Sequence, residues 1–479
     1  MKRKQAQSHC PRPHDYKQHS INIDLSRFTN IINIRSIDEE LRACKNVLIP
    51  NHLKKFIGNN YGGTHSLSTY SLAHLLLDSD IIGVVDVQAM ISFEDLVDKL
   101  LPYNMIPACV PEFKGITLGG SLQGLAAEST SFKYGFVHDS IIGFEAILGD
   151  GSVVWCSANT NSDLFHGLPG TFGSIAIVTR IKMLCIKSAP YVLLQCSLTN
   201  NINQCTQTLN YIKDNEKNDI DFLEGFGYSR TRYVTCKGQF LASNDYIKAI
   251  MNGPNNFKFL TCLGYGDKWF FNQINDEIKK DKNKNFIYPL KDYLFRHDRG
   301  SFWMASYRIP QFIGRWMGSL LDSTNMFKLA NMLPWAFPKS VIVLQDFMLP
   351  RGRVNIFHDE MQDNLGGLYP LWLLPMHNFR QKQGIFTVPS TNEHLINVGM
   401  YGIPRSKGYK FIKNNKDLEA LLYHCNGRKV FYSHSFYEKD FFYNELYDGK
   451  KYFHLRRKYK VSDAFHEIFD KIITKNGNL

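Results

Sequence analysis

The spacing of apolar residues predicts a chain of mixed strands and helices. The segment Ile81–Val87 is short and rich in β-branched residues, which indicates a buried strand. Ser92 precedes two acidic residues and then apolar residues at helical spacing, so we expect a helix to begin there. Between 144 and 184 the pattern predicts three strands, with a turn at Gly149-Asp150-Gly151 between the first two.

The character of the chain changes after Pro190, where the segments become longer, mix helix and strand patterns, and are rich in aromatic residues. We therefore expect one domain over residues 1–189 and a second, α/β domain with C-terminal helices over 190–479. The lysine-rich stretch 279–285 is predicted to be an exposed loop, and the basic residues at Arg456-Arg457-Lys458 to lie on a helix near the C-terminus.

Composition narrows the class of protein. Of the 479 residues 44% are hydrophobic and 13% aromatic, which is enough for a packed core. The formal net charge of +12 favours acidic ligands or anionic surfaces, but no motif supports binding to nucleic acid. The sequence contains neither a signal-peptide apolar region nor an apolar run long enough to span a membrane, so we expect a protein that is neither secreted nor membrane-spanning.

The ten cysteines are scattered without metal-ligand spacing. They are predicted to be buried thiols in a reducing compartment, and no metal site is expected.

The richest candidate for chemistry is the glycine-containing segment 110–135. Its glycines, serines and threonines can bring backbone amides and hydroxyls close to the oxygens of a pyrophosphate. Its spacing matches neither the Rossmann nor the P-loop pattern, and on composition alone a plain glycine-rich loop is the better interpretation.

The order of motifs changes that interpretation. The segment contains Pro111, Glu112, Thr117, Gly119, Gly120, Glu128, Ser129, Ser131, Lys133, Tyr134 and Gly135, and Gly170-Thr171-Phe172-Gly173 follows. Later come 289–303, 344–346, 369–372 and 399–405. Together these motifs resemble the sterol 24-reductase (24-dehydrocholesterol reductase, or Diminuto) family of the vanillyl-alcohol-oxidase type of FAD-binding proteins.

The resemblance implies an α+β fold class, in which a two-part FAD-binding domain over 1–189 precedes a substrate (cap) domain over 190–479. The first domain looks N-terminally truncated, with an insertion at about 35–80. The expected activity is reduction of a sterol side-chain double bond by hydride from NADPH through noncovalently bound FAD. We expect peripheral membrane contact on the cytoplasmic side, at the endoplasmic reticulum if the source is eukaryotic.

The resemblance also assigns residues to the cofactor. The expected FAD-binding residues are Ser8, His9, Arg12, Thr117, Leu118, Gly119, Gly120, Ser121, Gly124, Glu128, Ser129, Ser131, Tyr134, Gly135, Gly173 and Ile177. The first phosphate-binding loop is placed at Ser8–Pro13, and Gly62–Ser66 in the inserted segment is the alternative.

Reducing an isolated alkene requires a proton on one carbon and a hydride on the other, inside a dry, apolar pocket. Tyr401, Tyr369, His297 and His377 are the candidate catalytic acids.

Two other functions remain open. One is oxidation of a different alcohol or a lipid-linked sugar on the same flavin domain. The other is a degenerate relative without catalysis, because Ala126 stands where relatives tend to have glycine and Met304 where they carry an acid. The basic stretches near Lys279 and Arg456 are candidates for contact with anionic lipid, or are simply charged surface.

Overall fold

A computed structural model describes residues 24–43, 80–252, 257–332, 339–377, 384–387, 394–461 and 464–474. The predicted phosphate loop at Ser8–Pro13, with Ser8, His9 and Arg12, lies outside these ranges, as does the alternative loop at Gly62–Ser66.

Residues 31–187 contain a six-stranded sheet in the order β1-β2-β6-β4-β5, in which β3 also pairs with β6, and we call this part of the structure the first domain. All of its strand pairs are antiparallel. Its strands are β1 (Ile31–Ser36), β2 (Ile81–Gln88), β3 (Met105–Pro107), β4 (Ile141–Ile147), β5 (Val153–Ser157) and β6 (Ile177–Lys187). The buried strand at 81–87, the hairpin around Gly149-Asp150-Gly151 and the third strand are thereby confirmed.

The described residues of the first domain also form five α-helices. They are α1 (Ile37–Ala43), α2 (Phe93–Leu100), α3 (Leu118–Gly124), α4 (Ser131–Tyr134) and α5 (Ser162–Gly167). The predicted start of α2 is confirmed, because the Ser92 hydroxyl accepts a hydrogen bond of 3.0 Å from the Asp95 amide. Such a cap satisfies an amide that has no partner inside the helix.

The glycine segment is tied to the end of β2. The amides of Leu118 and Gly119 donate to the carbonyls of Ile91 and Ala89. A side chain at Gly119 would meet the Ala89 carbonyl at 2.9 Å, so only glycine allows this approach. Helix α3 is therefore held at the edge of the first sheet, where strand β2 ends.

The second domain is built on a nine-stranded sheet in the order β10-β11-β7-β9-β8-β13-β14-β12-β15. The β10–β11 pair is parallel and the other pairs are antiparallel. Its strands are β7 (Tyr191–Thr199), β8 (Phe222–Ser229), β9 (Arg232–Leu241), β10 (Lys258–Phe259), β11 (Asn283–Pro289), β12 (Val343–Pro350), β13 (Leu371–Met376), β14 (Leu395–Gly402) and β15 (Arg428–Lys429). The prediction of a loop over 279–285 is wrong at its end, because β11 already begins at Asn283.

Helices flank this sheet. They are α6 (Ile202–Asn215), α7 (Ser243–Asn252), α8 (Phe270–Ile278), α9 (Leu290–Leu294), α10 (Gln311–Gly314), α11 (Ser323–Met332), α12 (Val354–Leu365), α13 (Phe411–His424), α14 (Lys439–Phe441), α15 (Gly449–Lys458) and α16 (Ile468–Ile472). Short 3-10 helices cover Leu101–Tyr103, Val137–Ser140, Met304–Tyr307, Gly318–Leu321, Lys339–Val341 and Arg351–Arg353, and a π-helix covers Phe442–Leu446.

Alternate residues of the central strands face opposite sides of the second sheet, as the period of two in a strand requires. On β12, Val343, Phe347 and Leu349 belong to a buried cluster with side chains of α6, α12 and α13. Leu344, Asp346 and Met348 point the other way, toward a cavity shared with the first domain. The same alternation on β13 and β14 turns one face of the sheet into a cavity wall.

The C-terminal helices return to the first domain. Arg456 on α15 is buried and donates hydrogen bonds to the carbonyls of Ser174 and Phe465. The assignment of Arg456 to a basic surface is therefore wrong, because its guanidinium satisfies buried backbone oxygens. None of the described helices has the length and apolar character needed to cross a bilayer.

Candidate functional site

A cavity of about 460 Å³ lies between the two domains. That volume falls within the range of ligand pockets. From the first domain it is lined by the end of β2, the α3 region and residues 172–178. From the second domain it is lined by 301–309, α11 and one face of strands β12, β13 and β14. Neither domain forms the site alone.

Seven of the predicted cofactor-binding residues line this cavity. They are Thr117, Gly119, Gly120, Ser121, Gly124, Gly173 and Ile177. Leu118 does not line it, since its side chain is fully buried in the core. These seven come from two separate stretches of sequence, which the fold brings to one wall.

The other predicted cofactor residues in the described ranges lie behind that wall. Glu128, Ser129, Ser131 and Tyr134 are almost completely buried and do not line the cavity. The amide of Glu128 donates to the Ser131 hydroxyl at 2.8 Å, and Gly135 adopts a φ of +75° beside the Asp139 carboxylate. Their contacts are with the protein itself.

A buried ionic cluster fastens this part of the glycine segment to the second domain. The Arg296 guanidinium donates to Glu128 at 2.9 Å and to Glu224 of β8 at 2.8 and 2.9 Å. All three side chains are at most 3% exposed. Burial opposes the ionisation of Glu224, yet the neighbouring Arg296 and His297 lower its pKa to about 2. For Glu128 burial has the larger effect and raises the pKa.

Glu128, Glu224 and His297 also form a group with metal-ligand geometry, since one potential ligand atom from each lies within 4.8 Å of the others. The Arg296 guanidinium already donates to both carboxylates. It therefore supplies the positive charge that a metal ion would bring to these carboxylates.

On the cavity wall, Asp346 is the centre of a polar cluster. Its carboxylate accepts hydrogen bonds from Tyr401 at 2.9 and 3.0 Å, from Tyr432 at 2.7 Å and from Asn397 at 2.6 Å. Burial raises the pKa of Asp346 despite these donors, and burial raises the pKa of Tyr401 well above its ordinary value. The Asp346 cluster can hold and pass on a proton, and the cavity walls around it are otherwise apolar.

The β12–β14 register brings this cluster together. Asp346 lies opposite Gly399, two residues before Tyr401 on the same face of the sheet. A Cβ atom at Gly399 would lie 2.5 Å from the Tyr401 hydroxyl and 3.1 Å from Asp346 Oδ1. The absence of a side chain at 399 lets the tyrosine reach across to the carboxylate.

Glu112 is a second carboxyl group on the cavity wall, at the side of the first domain. It keeps part of its surface exposed. Burial, reinforced by the negative charge of Glu128, raises its pKa from 4.5 to about 8. At neutral pH its carboxyl group is therefore mostly protonated.

The structure separates the other sequence-based catalytic candidates from the cavity. Tyr369 does not line it, and its hydroxyl is 3.0 Å from His358 Nε2. His297 is buried behind the wall, where burial lowers its pKa to about 4 and its ring stacks on Phe302 at 4.1 Å. His377 uses its amide to bond the Ser131 carbonyl and does not line the cavity either.

Phe302 itself lines the cavity from a strained turn. Residues 300–302 all have positive φ, including Ser301 and Phe302, which are not glycine. Such backbone persists only where the surroundings enforce it, and it clusters at functional sites. His297 thus supports a ring of the cavity wall instead of reaching into the cavity.

The wall has features that fit FAD. The buried hydroxyl of Ser121 has no hydrogen-bond partner among the described residues. The ammonium group of Lys471 reaches the same wall and donates to the Gly173 carbonyl at 2.7 Å. A cofactor with phosphates and a polar ring can use both donors.

The two departures from the family pattern also lie on the wall. Ala126 is not in the positive-φ region; the preceding Leu125 takes that conformation, with φ +59°. Backbone strain at Ala126 is therefore not present. Met304 presents an apolar side chain, so the acids of the wall are Glu112 and Asp346.

Sequence reasoning missed Asp346, Glu112, Asn397 and Tyr432 as site residues. Asp346 and Glu112 stand inside the family motifs, and Asp346 is an acid at an inward-facing position of a strand that is otherwise apolar on that face. An acid on the otherwise apolar face of a strand is the sequence feature that indicates Asp346 as a site residue. Asn397 and Tyr432 give none without the strand pairing.

Known proteins resemble this chain in sequence and in fold. The family model of an FAD binding domain matches residues 51–157. The chain is 26% identical over 425 residues to the Delta(24)-sterol reductase of Homo sapiens, covering 86% of this chain and 78% of that protein. It is 26% identical over 428 residues to the Delta(24)-sterol reductase of Pisum sativum, covering 81% and 72%.

Among solved structures, the VAO-type flavoprotein MtVAO615 from Myceliophthora thermophila C1 superposes with a TM-score of 0.53 at 11% identity. The match covers 82% of this chain and 68% of that one. At this identity the likeness shows the fold alone. It confirms the predicted fold class.

Proposed function

Since this chain is a homologue of the Delta(24)-sterol reductases and an oxidoreductase with an FAD-binding domain, we propose that it reduces a side-chain double bond of a sterol. NADPH is the proposed source of the hydride, and noncovalently bound FAD carries it to the alkene. The observation that carries this proposal is the cavity, because it combines a glycine-rich wall, apolar and aromatic walls, and an acid cluster.

The proton comes from the second-domain wall in this proposal. Tyr401 donates it, and Asp346 holds the phenol in place through two hydrogen bonds and takes part in recharging it. Glu112 is protonated at neutral pH on the facing side of the cavity and is the second candidate donor. A positioned acid typically contributes about 10² to 10⁴ in rate.

The apolar walls protect the developing positive charge from water. Phe302, Trp372 and Tyr401 line the cavity, and the Phe302 and Tyr401 ring centroids are 4.7 Å apart. The faces of aromatic rings attract cationic charge, most strongly where water is excluded. The wall thus suits an alkene that becomes electron-poor as it is protonated.

FAD, when bound, supplies the hydride. The seven cavity-lining residues named above would hold it, with Ser121 as a free hydroxyl partner and Lys471 as a buried cation. Thr117 and Gly120 remain close to each other through an Oγ1 to amide bond of 3.3 Å, which fixes the start of α3.

The proposal is tested in two half-reactions under anaerobic conditions. NADPH should reduce the bound flavin, and a sterol with a side-chain double bond should reoxidise it, while sugars and simple alcohols should leave the oxidised flavin unchanged. Tyr401→Phe should slow reoxidation by at least about 100-fold without affecting reduction.

Tyr432→Phe is the matched control, since it also removes one hydroxyl donor to Asp346 at almost constant volume. It should have a clearly smaller effect. Equal effects of the two variants would mean that Tyr401 is not the donor. Reduction of the flavin by an alcohol, with no response to any unsaturated sterol, would overturn the proposed function.

A further inference from the structure

The surface outside the cavity is unusually apolar at one place. The described ranges leave fourteen large apolar side chains exposed, and six of these lie within the twenty-one residues from Phe312 to Met332. We call them the 312–332 patch: Phe312, Ile313, Trp316, Leu320, Leu329 and Met332. Six exposed apolar side chains in one short segment indicate an interaction site.

The patch continues onto a neighbouring loop. The rings of Trp316 and Tyr265 meet edge to face at 5.2 Å, and the Tyr265 side chain is 73% exposed. The Arg315 guanidinium lies over the Trp316 ring at 4.8 Å. A tryptophan with a stacked arginine is suited to a boundary between apolar and polar surroundings.

The same segment also forms a wall of the cavity. On α11, Met326, Phe327, Leu329 and Ala330 line the cavity, and Leu329 and Met332 are exposed to solvent. Apolar side chains of α11 thus face both the cavity and the exterior. The helix separates the cavity from the exterior.

The cavity reaches the surface at this wall. Leu329 and Arg308 both line the cavity and are exposed to solvent. The mouth they form therefore adjoins the apolar patch. A ligand that leaves an apolar phase in contact with the patch could enter without crossing water.

The residues around the patch carry an excess of positive charge. Arg308, Arg315 and Lys328 have no acidic partner within ion-pair distance among the described residues, and Asp322 is the one acid between 308 and 332. By contrast, Lys258 and Lys280 contact Glu277, and Lys284 contacts Asp281. Positive charge without partners therefore surrounds the patch, as anionic headgroups require.

We propose that the 312–332 patch docks on the surface of an anionic lipid bilayer and that the apolar substrate enters the cavity through the mouth at Leu329 and Arg308. The entry of a sterol rests on the proposed function; the docking does not. The side chains would lie in the interface of one leaflet, as those of a peripheral membrane protein do.

The test uses the full chain and flotation with phosphatidylcholine vesicles, with and without phosphatidylserine. The protein should bind the anionic vesicles and be released by salt. Phe312→Glu combined with Leu320→Glu should weaken that binding by at least about tenfold, since two apolar side chains are lost from the interface. The matched control, Tyr211→Glu with Ile356→Glu, changes exposed apolar residues elsewhere and should bind like the wild type.

Failure of the wild type to bind vesicles, or equal binding by both double variants, overturns the proposal. So does self-association through the patch, seen as a dimer in the wild type that the Phe312/Leu320 variant loses while vesicle binding persists. Sterol delivered in cyclodextrin separates the two claims. The Phe312/Leu320 variant should then keep its rate of flavin reoxidation and lose only the rate with vesicle-borne sterol.

If the Phe312/Leu320 variant loses vesicle binding, but sterol reoxidises the flavin neither from vesicles nor from cyclodextrin, the docking holds and the proposed function fails. If the variant loses the cyclodextrin rate as well, the patch residues act on the site itself, and their role as a docking surface is refuted.

Discussion

Replacing Arg296 by methionine should strongly destabilise the protein. The substitution preserves much of the side-chain volume but leaves Glu128 and Glu224 facing each other without a cation in a site that is at most 3% exposed. Breaking a buried ion pair by removing one partner costs about 3–5 kcal/mol. Tyr293 and Trp372 still donate to Glu224, at 3.1 and 2.8 Å, so we expect the lower half of that range.

The loss should depend on pH in a defined direction. In the wild type the pKa of Glu224 is about 2, so this carboxyl stays ionised above that pH. Without Arg296, burial raises the pKa of Glu224 above its ordinary value, so at pH 5 the folded variant holds a proton that the unfolded chain releases. The deficit in unfolding free energy should therefore be larger at pH 7.5 than at pH 5.

The difference in unfolding free energy between the variant and the wild type is measured by urea unfolding at pH 5 and pH 7.5, with circular dichroism as the signal. Arg351→Met, at an exposed arginine, is the control and should change the unfolding free energy by less than about 0.5 kcal/mol. Glu128→Gln in the Arg296→Met background should recover part of the loss. If Arg296→Met lies within about 1 kcal/mol of the wild type at pH 7.5, the cluster does not fasten the domains as argued.

Three further outcomes are expected. Glu112→Gln should stabilise the protein by at most about 5 kcal/mol at pH 8.5 and by much less at pH 5. The folded-state pKa of Glu112, about 8, exceeds its ordinary value of 4.5, so the wild type loses stability as the pH rises between these two values. Urea midpoints of the variant and the wild type at both pH values check this. Gly399→Ala should displace the Tyr401 hydroxyl, which lies 2.5 Å from the new Cβ, and slow reoxidation by sterol while flavin content is unchanged. Gly120→Val should lower the flavin absorbance per chain, since Gly120 lines the cavity; full occupancy would show that the cofactor lies elsewhere.

The local elements were predictable because their signals are local. A short run of β-branched residues identifies β2, and the Ser92 cap with its acidic first turn identifies the start of α2. The glycine segment could be recognised through its motif order. Its contact with Ala89 could not, because that depends on how β2 and α3 pack.

The site could be predicted only in part because its halves are distant in sequence. Asp346 and Tyr401 are 55 residues apart and meet through the β12–β14 register. His297 and Tyr369 looked equally suitable as acids, yet neither lines the cavity. Arg456 looked like surface charge, and only the packing of α15 against residue 174 buries it.

In the proposed function, the cavity holds the flavin and an unsaturated sterol side chain next to each other. The most direct measurement is anaerobic stopped-flow absorbance of the prereduced protein mixed with a sterol that has a side-chain double bond, beside the same sterol already saturated. The oxidised flavin spectrum should return with the unsaturated sterol alone, and Tyr401→Phe should slow this return. A purified protein without flavin absorbance that also cannot be loaded with FAD, or a reduced flavin that neither sterol reoxidises, would contradict it.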